Sequence, residues 1–320
     1  MKTLVLSVLG CVLGFLSVSG ANGEKVYVAK YKGNKVCAIT YTFDDGLVEQ
    51  YTLAAPQLEK RGFRGTFGIN GSRINQDNEH ITDTTRMTWV QVKDLSERGH
   101  EITNHGWKHK NFSRFPLEEI KEDVRKNDSA IHAVTGIWPR TFLYPNNNKK
   151  MEGRRFVEQQ RVGTRLFQRS LGGKSTPENL ESWVDGLLEK GEWGVAMTHG
   201  LTYGYDAFPN PQRFWEHLDK VKAREEQIWV GTLREVLAYT TEQKEIELKI
   251  DKRKKSLWIT PRLSLNPEVF TEPLTMVIEK EGIKKISVQQ GKTDLPVHIV
   301  GDSFLFDFNP FGGTIIVKEK

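Results

Sequence analysis

The chain has 320 residues, of which 38% are hydrophobic and 27% charged, with 28 glycines and 12 prolines. This composition is that of an ordinary folded protein, and it excludes a disordered chain, a collagen-like repeat and a coiled coil. The formal net charge of +5 is too small to indicate a protein that binds nucleic acid.

The first element is an apolar run at residues 4–18. It falls short of the ~20 residues that a membrane-spanning helix needs. Small residues follow it, and Ser19 with Ala21 supplies the pair that a signal peptidase accepts, so we predict a signal peptide at residues 1–21. The protein is then exported, periplasmic or secreted, without stable membrane insertion. A lipid anchor on Cys11 is a less favoured alternative, because the apolar run continues past that cysteine.

From residue 35 to about residue 240, short β-branched or apolar runs alternate with amphipathic stretches, which is typical of βα units around a parallel sheet. The predicted strands are residues 36–42, 65–69, 101–104, 141–144, 163–167, 194–198 and 228–231. The predicted helices are residues 47–61, 89–98, 117–134, 151–160, 177–190, 211–225 and 233–239. This pattern predicts an α/β fold, a distorted (β/α) barrel of about seven strands within residues 22–241.

After residue 241 the pattern changes to period two, since Ile246, Leu248 and Ile250 alternate with charged residues. A basic tip at residues 252–255 follows, and the two flanking runs predict a β-hairpin. Short β-like runs separated by Gly, Asn, Asp and Pro continue to the end of the chain, so we predict a small all-β sandwich at residues 242–320. No flexible linker precedes it, and we expect it to pack directly on the barrel, with Trp258 inside.

Two adjacent carboxylates, Asp44 and Asp45, end the first predicted strand of the parallel sheet, in the context Thr-Phe-Asp-Asp-Gly. Functional groups gather at the carboxyl ends of strands in barrels of this type. A structural role is the alternative, because Asp-Asp-Gly is a frequent turn in which Asp caps the next helix and Gly adopts a positive φ. Taken alone, the pair favours neither role.

Histidines follow two further predicted strands. His105 and His109 come after the strand at residues 101–104, and residues at i and i+4 of a helical turn face one side, about 5–6 Å apart, close enough to hold one metal ion. His199 follows the strand at residues 194–198. A lone histidine is more often structural, but three strand ends that open on one face of a sheet indicate a common site.

These motifs, in this order, resemble the polysaccharide deacetylase family, the NodB-homology domain of carbohydrate esterase family four, over residues 36–239. The resemblance implies a metal-dependent hydrolase that removes acetyl groups from a saccharide. It implies that Asp45, His105 and His109 are the metal ligands. It makes Asp44 the catalytic base and His199 the acid. The implied cofactor is one divalent ion, Zn²⁺ first, with Co²⁺, Ni²⁺ or Mn²⁺ as alternatives.

The third family motif is altered, because the usual Arg-Pro-Pro-Tyr-Gly is here Leu-Tyr-Pro-Asn-Asn at residues 143–147. The resemblance places a main-chain oxyanion donor at Asn146 and makes Tyr144 a candidate substrate contact. The arginine that orients the base is missing at Leu143. Arg140 lies an odd number of residues away on the predicted strand and therefore points to the opposite face.

Arg165, on the next predicted strand, is the candidate replacement for the missing arginine, because a neighbouring strand could aim a guanidinium at Asp44. A purely structural role for Arg165 is the alternative. Tyr203, in the glycine-rich loop after His199, is a candidate to stack on a sugar ring, as is Tyr205.

Three functions follow from these residues. The first is removal of N-acetyl groups from an amino-sugar polymer or oligosaccharide. The second is hydrolysis of O-acetyl esters on a glycan such as xylan, and the third is glycan binding without catalysis. In each case the partner is an acetylated carbohydrate, and the motifs do not select a sugar, a chain length or an oligomeric state.

Overall fold

The structure is a computed structural model, and it describes residues 18–19, 24–74 and 84–320. The predicted signal peptide lies outside the described residues except for a two-residue strand, Val18–Ser19. In the described part of the chain, no helix is long and apolar enough to cross a membrane.

A parallel sheet lies at the centre of the α/β region. Its strands stand in the order Glu101–Asn104, Thr66–Ile69, Cys37–Phe43, Trp193–Thr198 and Arg169–Ser170. Ile228–Val230 also pairs with the first half of Cys37–Phe43. This central strand is buried along its whole length, which explains why it has apolar residues and Thr but no charged residue.

Two of the predicted strands do not form. Phe142 makes a single parallel bridge with Asn104, and the Arg165 N–H donates to the Phe142 carbonyl at 3.0 Å. The run at residues 141–144 is too short to extend this pairing, because Pro145 follows it at once and has no N–H to donate. The runs at 141–144 and 163–167 are therefore extended segments that lie side by side.

Helices surround the parallel sheet. All but the first begin within one residue of the predicted position, whereas the last, predicted at residues 233–239, extends to Glu245. The helices are Ala55–Glu59, Trp89–Glu97, Leu117–Thr135, Met151–Val157, Pro177–Lys190, Gln212–Lys222 and Leu233–Glu245. The helix predicted at residues 47–61 instead contains a π-helical turn, Gln50–Ala54, before Ala55–Glu59. Leu233–Glu245 runs past the predicted boundary at residue 241.

Two antiparallel sheets of five strands each, counted over the described residues, form the rest of the protein. The first has the order Val18–Ser19, Lys25–Val28, Leu274–Glu279, Ser303–Phe308, His298–Val300, and the second Thr293–Leu295, Ile286–Gln290, Ile315–Glu319, Ser256–Arg262, Glu247–Arg253. Both sheets contribute to one hydrophobic core, which includes Met276, Phe306, Ile259 and Val317. The predicted hairpin is present as Glu247–Arg253 and Ser256–Arg262.

Two details of this region differ from the sequence prediction. Lys25–Val28, which lies within the bounds of 22–241 predicted for the barrel, pairs instead with Leu274–Glu279. Trp258 does not pack inside, because its neighbours Leu257 and Ile259 take the inward positions of the strand. Its ring lies under the Arg253 guanidinium, 4.1 Å away.

Buried contacts join the two regions. Tyr239, on the last helix of the α/β region, is fully buried in the core of the antiparallel sheets. Its hydroxyl donates to the Ala29 carbonyl at 2.9 Å and accepts from the Thr275 N–H at 3.3 Å. Nearby, the Glu272 N–H donates to the Glu242 carboxylate at 3.1 Å. The antiparallel sheets are thus packed directly against the α/β region.

Removing the Tyr239 hydroxyl should destabilise the protein, because it leaves two buried backbone groups without this partner. The cost is about 1–3 kcal/mol for a buried polar group left unsatisfied. Tyr239→Phe should therefore lower the melting temperature by a few degrees in a circular dichroism melt. Tyr205→Phe is the control at a position that is 74% exposed. An unchanged melting temperature in Tyr239→Phe would contradict coupling through this contact.

Candidate metal centre and active site

The end of the central strand carries both predicted carboxylates. The Asp44 N–H donates to the Thr198 carbonyl at 2.9 Å, which ties this strand end to the neighbouring one. Asp45 and Gly46 both have positive φ, 75° and 65°, so the chain turns sharply after Asp44. As a result both carboxylates reach the same histidine, since His105 Nε2 lies 3.7 Å from Asp44 Oδ2 and 3.6 Å from Asp45 Oδ1.

Asp45, His105 and His109 bring one donor atom each to within 4.8 Å of one another. His109 Nε2 lies 3.8 Å from Asp45 Oδ1. These distances are close to the separation of donors around one tetrahedral Zn²⁺ bound at ~2.0–2.2 Å. Asp45 Oδ1 is buried and has no hydrogen-bond partner among the described residues, which is costly for a carboxylate oxygen. The residues present therefore fit a divalent metal ion.

The surroundings of both histidines suit metal binding. His105 Nδ1 lies 2.9 Å from the Leu143 carbonyl, so this nitrogen carries the proton and Nε2 offers its lone pair to the site. Burial, and then the neighbouring His105, lower the pKa of His109 to about 4, which keeps that ring neutral at neutral pH. A metal ligand has to be neutral imidazole.

The two histidines do not lie on a helical turn as predicted. They belong to a loop in which Gly106 and His109 have positive φ, and their ring centroids are 4.7 Å apart. Asp123 fixes this loop from the helix Leu117–Thr135 by accepting from the Lys108 N–H at 2.9 Å. Asn104 accepts from the Gly106 N–H at 2.7 Å. The loop, and not helix periodicity, brings the rings together.

Asp44 is held by Arg165. Arg165 Nη1 donates to Asp44 Oδ1 at 2.7 Å, and Nη2 donates to Asp44 Oδ2 at 2.6 Å. Nη1 also donates to Thr42 Oγ1 at 2.6 Å. Both charged side chains are almost fully buried. Burial by itself would raise the pKa of Asp44, but the Arg165 guanidinium, with His105 beside it, holds that pKa well below its usual range. The contact predicted for Arg165 is present.

Packing explains why the arginine comes from position 165. Leu143 is fully buried, and its methyl lies so close to Gly68 that a Cβ there would be 2.6 Å away. The hydrogen bond from Arg165 to Phe142 sets the following segment beside Leu143, so a long side chain from that segment reaches Asp44. Arg140 points elsewhere and donates to the Gln160 and Glu268 carbonyls.

His199 stands beside Asp44 at the end of the adjacent strand, because Phe43 pairs with Thr198. Its ring is half-buried and meets the Tyr205 ring edge to face, with centroids 5.1 Å apart. Tyr205 is exposed beside it, whereas the Tyr203 hydroxyl donates to the Thr85 carbonyl at 3.0 Å. Of the two tyrosines, Tyr205 has the more accessible ring next to His199.

The residues predicted from the altered third motif are placed differently. Tyr144 is only 1% exposed, packs against Phe112 and Phe142, and donates its hydroxyl to Thr164 at 3.1 Å. Its side chain is part of a buried aromatic cluster, which argues against the predicted contact with substrate. Asn146 is exposed in a turn with φ 55° and accepts a hydrogen bond from Asn111 at 3.3 Å. Its role as oxyanion donor stays a prediction.

Two buried residues of the site have no counterpart among the predicted ones. Gln50 Nε2 donates to the Asp44 carbonyl at 2.6 Å and to the His199 carbonyl at 2.9 Å. Glu49 accepts from the N–H groups of Leu201 and Thr202. Their sequence signal is weak, because polar residues in the first turns of a helix are usually solvated.

Residues 31–160 match the family model described as polysaccharide deacetylase. The resemblance to this family is confirmed. Peptidoglycan-N-acetylglucosamine deacetylase PgdA of Listeria monocytogenes is 29% identical over 119 residues, 37% of this chain and 23% of the relative. Peptidoglycan-N-acetylmuramic acid deacetylase PdaA of Bacillus subtilis is 27% identical over 121 residues, 37% of this chain and 42% of the relative. The chain thus spans less than half the length of these relatives.

Among solved structures, a family 4 acetyl xylan esterase from Clostridium thermocellum overlays with a TM-score of 0.45 and 20% identity. The overlay covers 62% of this chain and 89% of that chain.

The three donors should bind one divalent ion, and loss of either histidine should abolish the binding. After dialysis with Zn²⁺ and removal of excess, mass spectrometry of the eluted metal should find one ion per chain in the wild type and little in His105→Ala or His109→Ala. His132→Ala, which removes a half-buried histidine stacked on Trp138, is the control and should keep its ion. Full metal content in both ligand variants would contradict the assignment.

Proposed function

We propose that this protein is a metal-dependent hydrolase that removes N-acetyl groups from an amino-sugar-containing poly- or oligosaccharide. One observation carries the proposal. The two adjacent carboxylates have different partners, because both oxygens of Asp44 accept from Arg165, whereas Asp45 Oδ1 is buried beside two histidines without a hydrogen bond to any described residue. One carboxylate is therefore available as a base and the other as a metal ligand.

In this mechanism Asp45, His105 and His109 would hold the ion, which when bound would supply positive charge for the developing oxyanion and lower the pKa of water. Asp44 accepts the proton of the water that attacks the acetyl carbonyl. His199, on the adjacent strand end, donates a proton to the departing nitrogen, because an amine leaves poorly without one. The Asn146 N–H is the proposed second donor to the oxyanion.

The surroundings of the site support the rest of the proposal. Both curated relatives are named for deacetylation of peptidoglycan sugars, which favours an amide-linked acetyl group as substrate. The exposed Tyr205 ring offers a surface for a sugar next to His199. We place this site in a distorted (β/α) barrel with a docked β-sandwich, and we propose that the protein is exported after cleavage of residues 1–21.

The direct test is acetate release by the Zn²⁺-loaded protein from N-acetylated chitooligosaccharides, peptidoglycan fragments and O-acetylated xylan. The proposal predicts release from an amino-sugar substrate, and loss of that release after treatment with a chelator. Release from xylan alone would replace the proposal with an O-acetyl esterase. Binding without release from any substrate would identify an inactive glycan-binding protein.

Replacing the base should separate metal binding from turnover. Asp44→Asn should keep its Zn²⁺ and lose about 10²–10⁴-fold in turnover, the usual contribution of a general base. Asp45→Asn is the matched variant and should lose the metal itself. Because Asp44→Asn leaves Arg165 buried without its partner, at a cost of about 3–5 kcal/mol, rates are compared well below each melting temperature. Near wild-type release by Asp44→Asn would remove Asp44 from the mechanism.

Replacing Arg165 should change the pH dependence of the reaction. Arg165 lowers the pKa of Asp44, and the base acts as the carboxylate, which exists above that pKa. Arg165→Met should therefore shift the acidic limb of the pH profile of kcat/KM to higher pH. The shift expected for loss of a neighbouring opposite charge is about 1–3 pH units. Metal content should not change. Arg140→Met is the control, and an unshifted profile in Arg165→Met would contradict the role.

A further inference from the structure

The turn after the Asp-Asp-Gly motif places two consecutive polar side chains inside the protein. Glu49 is 2% exposed and Gln50 is fully buried. Neighbouring residues of an ordinary α-helix point about 100° apart, so they seldom share a buried direction. Here Gln50–Ala54 is a π-helical turn, in which the Ala55 N–H donates to the Gln50 carbonyl.

Pro56 contributes to this widened turn. In an α-helix its N–H would bond the Thr52 carbonyl, but proline has no N–H and its ring clashes with that carbonyl. The chain therefore does not keep the α-helical register through this segment. Such π-helical turns occur frequently at functional sites.

Gln50 links the two strand ends that carry the proposed base and acid. Its single amide nitrogen donates to the carbonyl of Asp44 and to the carbonyl of His199. These two residues carry the proposed base and the proposed acid. The Gln50 amide therefore fixes the distance between the backbone of Asp44 and the backbone of His199. The link adds to the hydrogen bond from the Asp44 N–H to Thr198.

Glu49 fixes the loop that follows His199. Its carboxylate accepts from the N–H groups of Leu201 and Thr202 and, at 2.7 Å, from the Thr202 hydroxyl. The loop is tight, because a Cβ on Gly200 would lie 1.6 Å from the Tyr203 carbonyl oxygen. A buried carboxylate with several donors is a rigid anchor, since its loss leaves each donor unsatisfied.

We propose that Glu49 and Gln50 form a clamp that positions His199 against Asp44, so that the acid reaches the leaving group while the base holds the water. Both are positioning residues, and neither needs to contact the substrate. The inference rests on the proposed function, because it assigns His199 as the acid. A displacement of about 1 Å in a catalytic group can reduce a rate by about 10²-fold. We therefore expect a fall in rate of up to this size when the clamp is removed.

The test uses the leaving group, because only a poor one depends on the acid. Gln50→Met keeps the length of the side chain but cannot donate. On an N-acetylated chitooligosaccharide its kcat should fall by about 10–10²-fold, whereas on 4-nitrophenyl acetate, whose phenolate leaves without a proton, it should stay within about threefold. KM and Zn²⁺ content should not change. Equal losses on both substrates, or no loss on either, would overturn the clamp.

The chain supplies a matched control at Gln290. This buried glutamine of the antiparallel sheets also donates its amide nitrogen to two carbonyls, those of Asn309 at 2.8 Å and Gly313 at 3.1 Å. Gln290→Met therefore removes an amide that donates to two carbonyls away from the site, together with one further bond, from the Asn309 N–H to Gln290 Oε1 at 3.0 Å. It should lower the melting temperature without changing the ratio of the two rates. A changed ratio in this control would assign the effect to lost stability and overturn the proposal.

Two further measurements cover the remaining outcomes. If Gln50→Met does not fold, Thr202→Val removes one donor to Glu49 at an exposed position and should give the same selective loss at smaller size. If the wild type releases acetate from no substrate, the proposed function fails, but the clamp is still tested by crystal structures. His199 displaced from Asp44 in Gln50→Met would support the clamp, and an unmoved His199 would overturn it.

Discussion

The buried ion pair between Asp44 and Arg165 is the interaction that distinguishes the two adjacent carboxylates of the site. Both charges lie away from water, and such a pair is stable only when the geometry is good and further hydrogen bonds are made. The two-point contact and the bond to Thr42 meet this condition. With both oxygens of Asp44 bonded to Arg165, Asp45 Oδ1 is the carboxylate oxygen that lies close to both His105 and His109. Two identical side chains thereby acquire different chemistry.

Long-range contacts build this arrangement from short segments. Asp44, Arg165 and His199 come from distant parts of the chain. The parallel sheet sets Asp44 beside His199, and the hydrogen bond from the Arg165 N–H to the Phe142 carbonyl sets the Arg165 segment beside the segment that bridges to Asn104. Backbone carbonyls do much of the remaining positioning, since Leu143 orients His105 and Gln50 joins the carbonyls of Asp44 and His199. A substitution in the core of the sheet would therefore be expected to affect the reacting groups together.

The sequence predicts the strands that precede Asp44, His105 and His199, because a buried strand appears in the sequence as a short run of apolar and β-branched residues. The motif residues follow the ends of these runs. The contact of Arg165 could be predicted by the same reasoning, since Arg140 has the wrong parity on the predicted strand, although the strands predicted at residues 141–144 and 163–167 do not form. Contacts between distant segments leave no such pattern, so the pairing of Lys25–Val28 with Leu274–Glu279 and the inward positions beside Trp258 were not predicted. The roles of Glu49 and Gln50 depend on a π-helical turn that helix periodicity does not show.

The central claim is that Asp44 and Asp45 divide the work, one paired with Arg165 and the other binding metal. A crystal structure of the Zn²⁺-loaded protein, with the ion located by its anomalous scattering, tests this division directly. The account predicts Zn²⁺ at about 2.0–2.2 Å from an Asp45 oxygen and from Nε2 of both His105 and His109, with Asp44 still bonded to Arg165 through both oxygens. Zn²⁺ coordinated by Asp44, with Arg165 released, would contradict it.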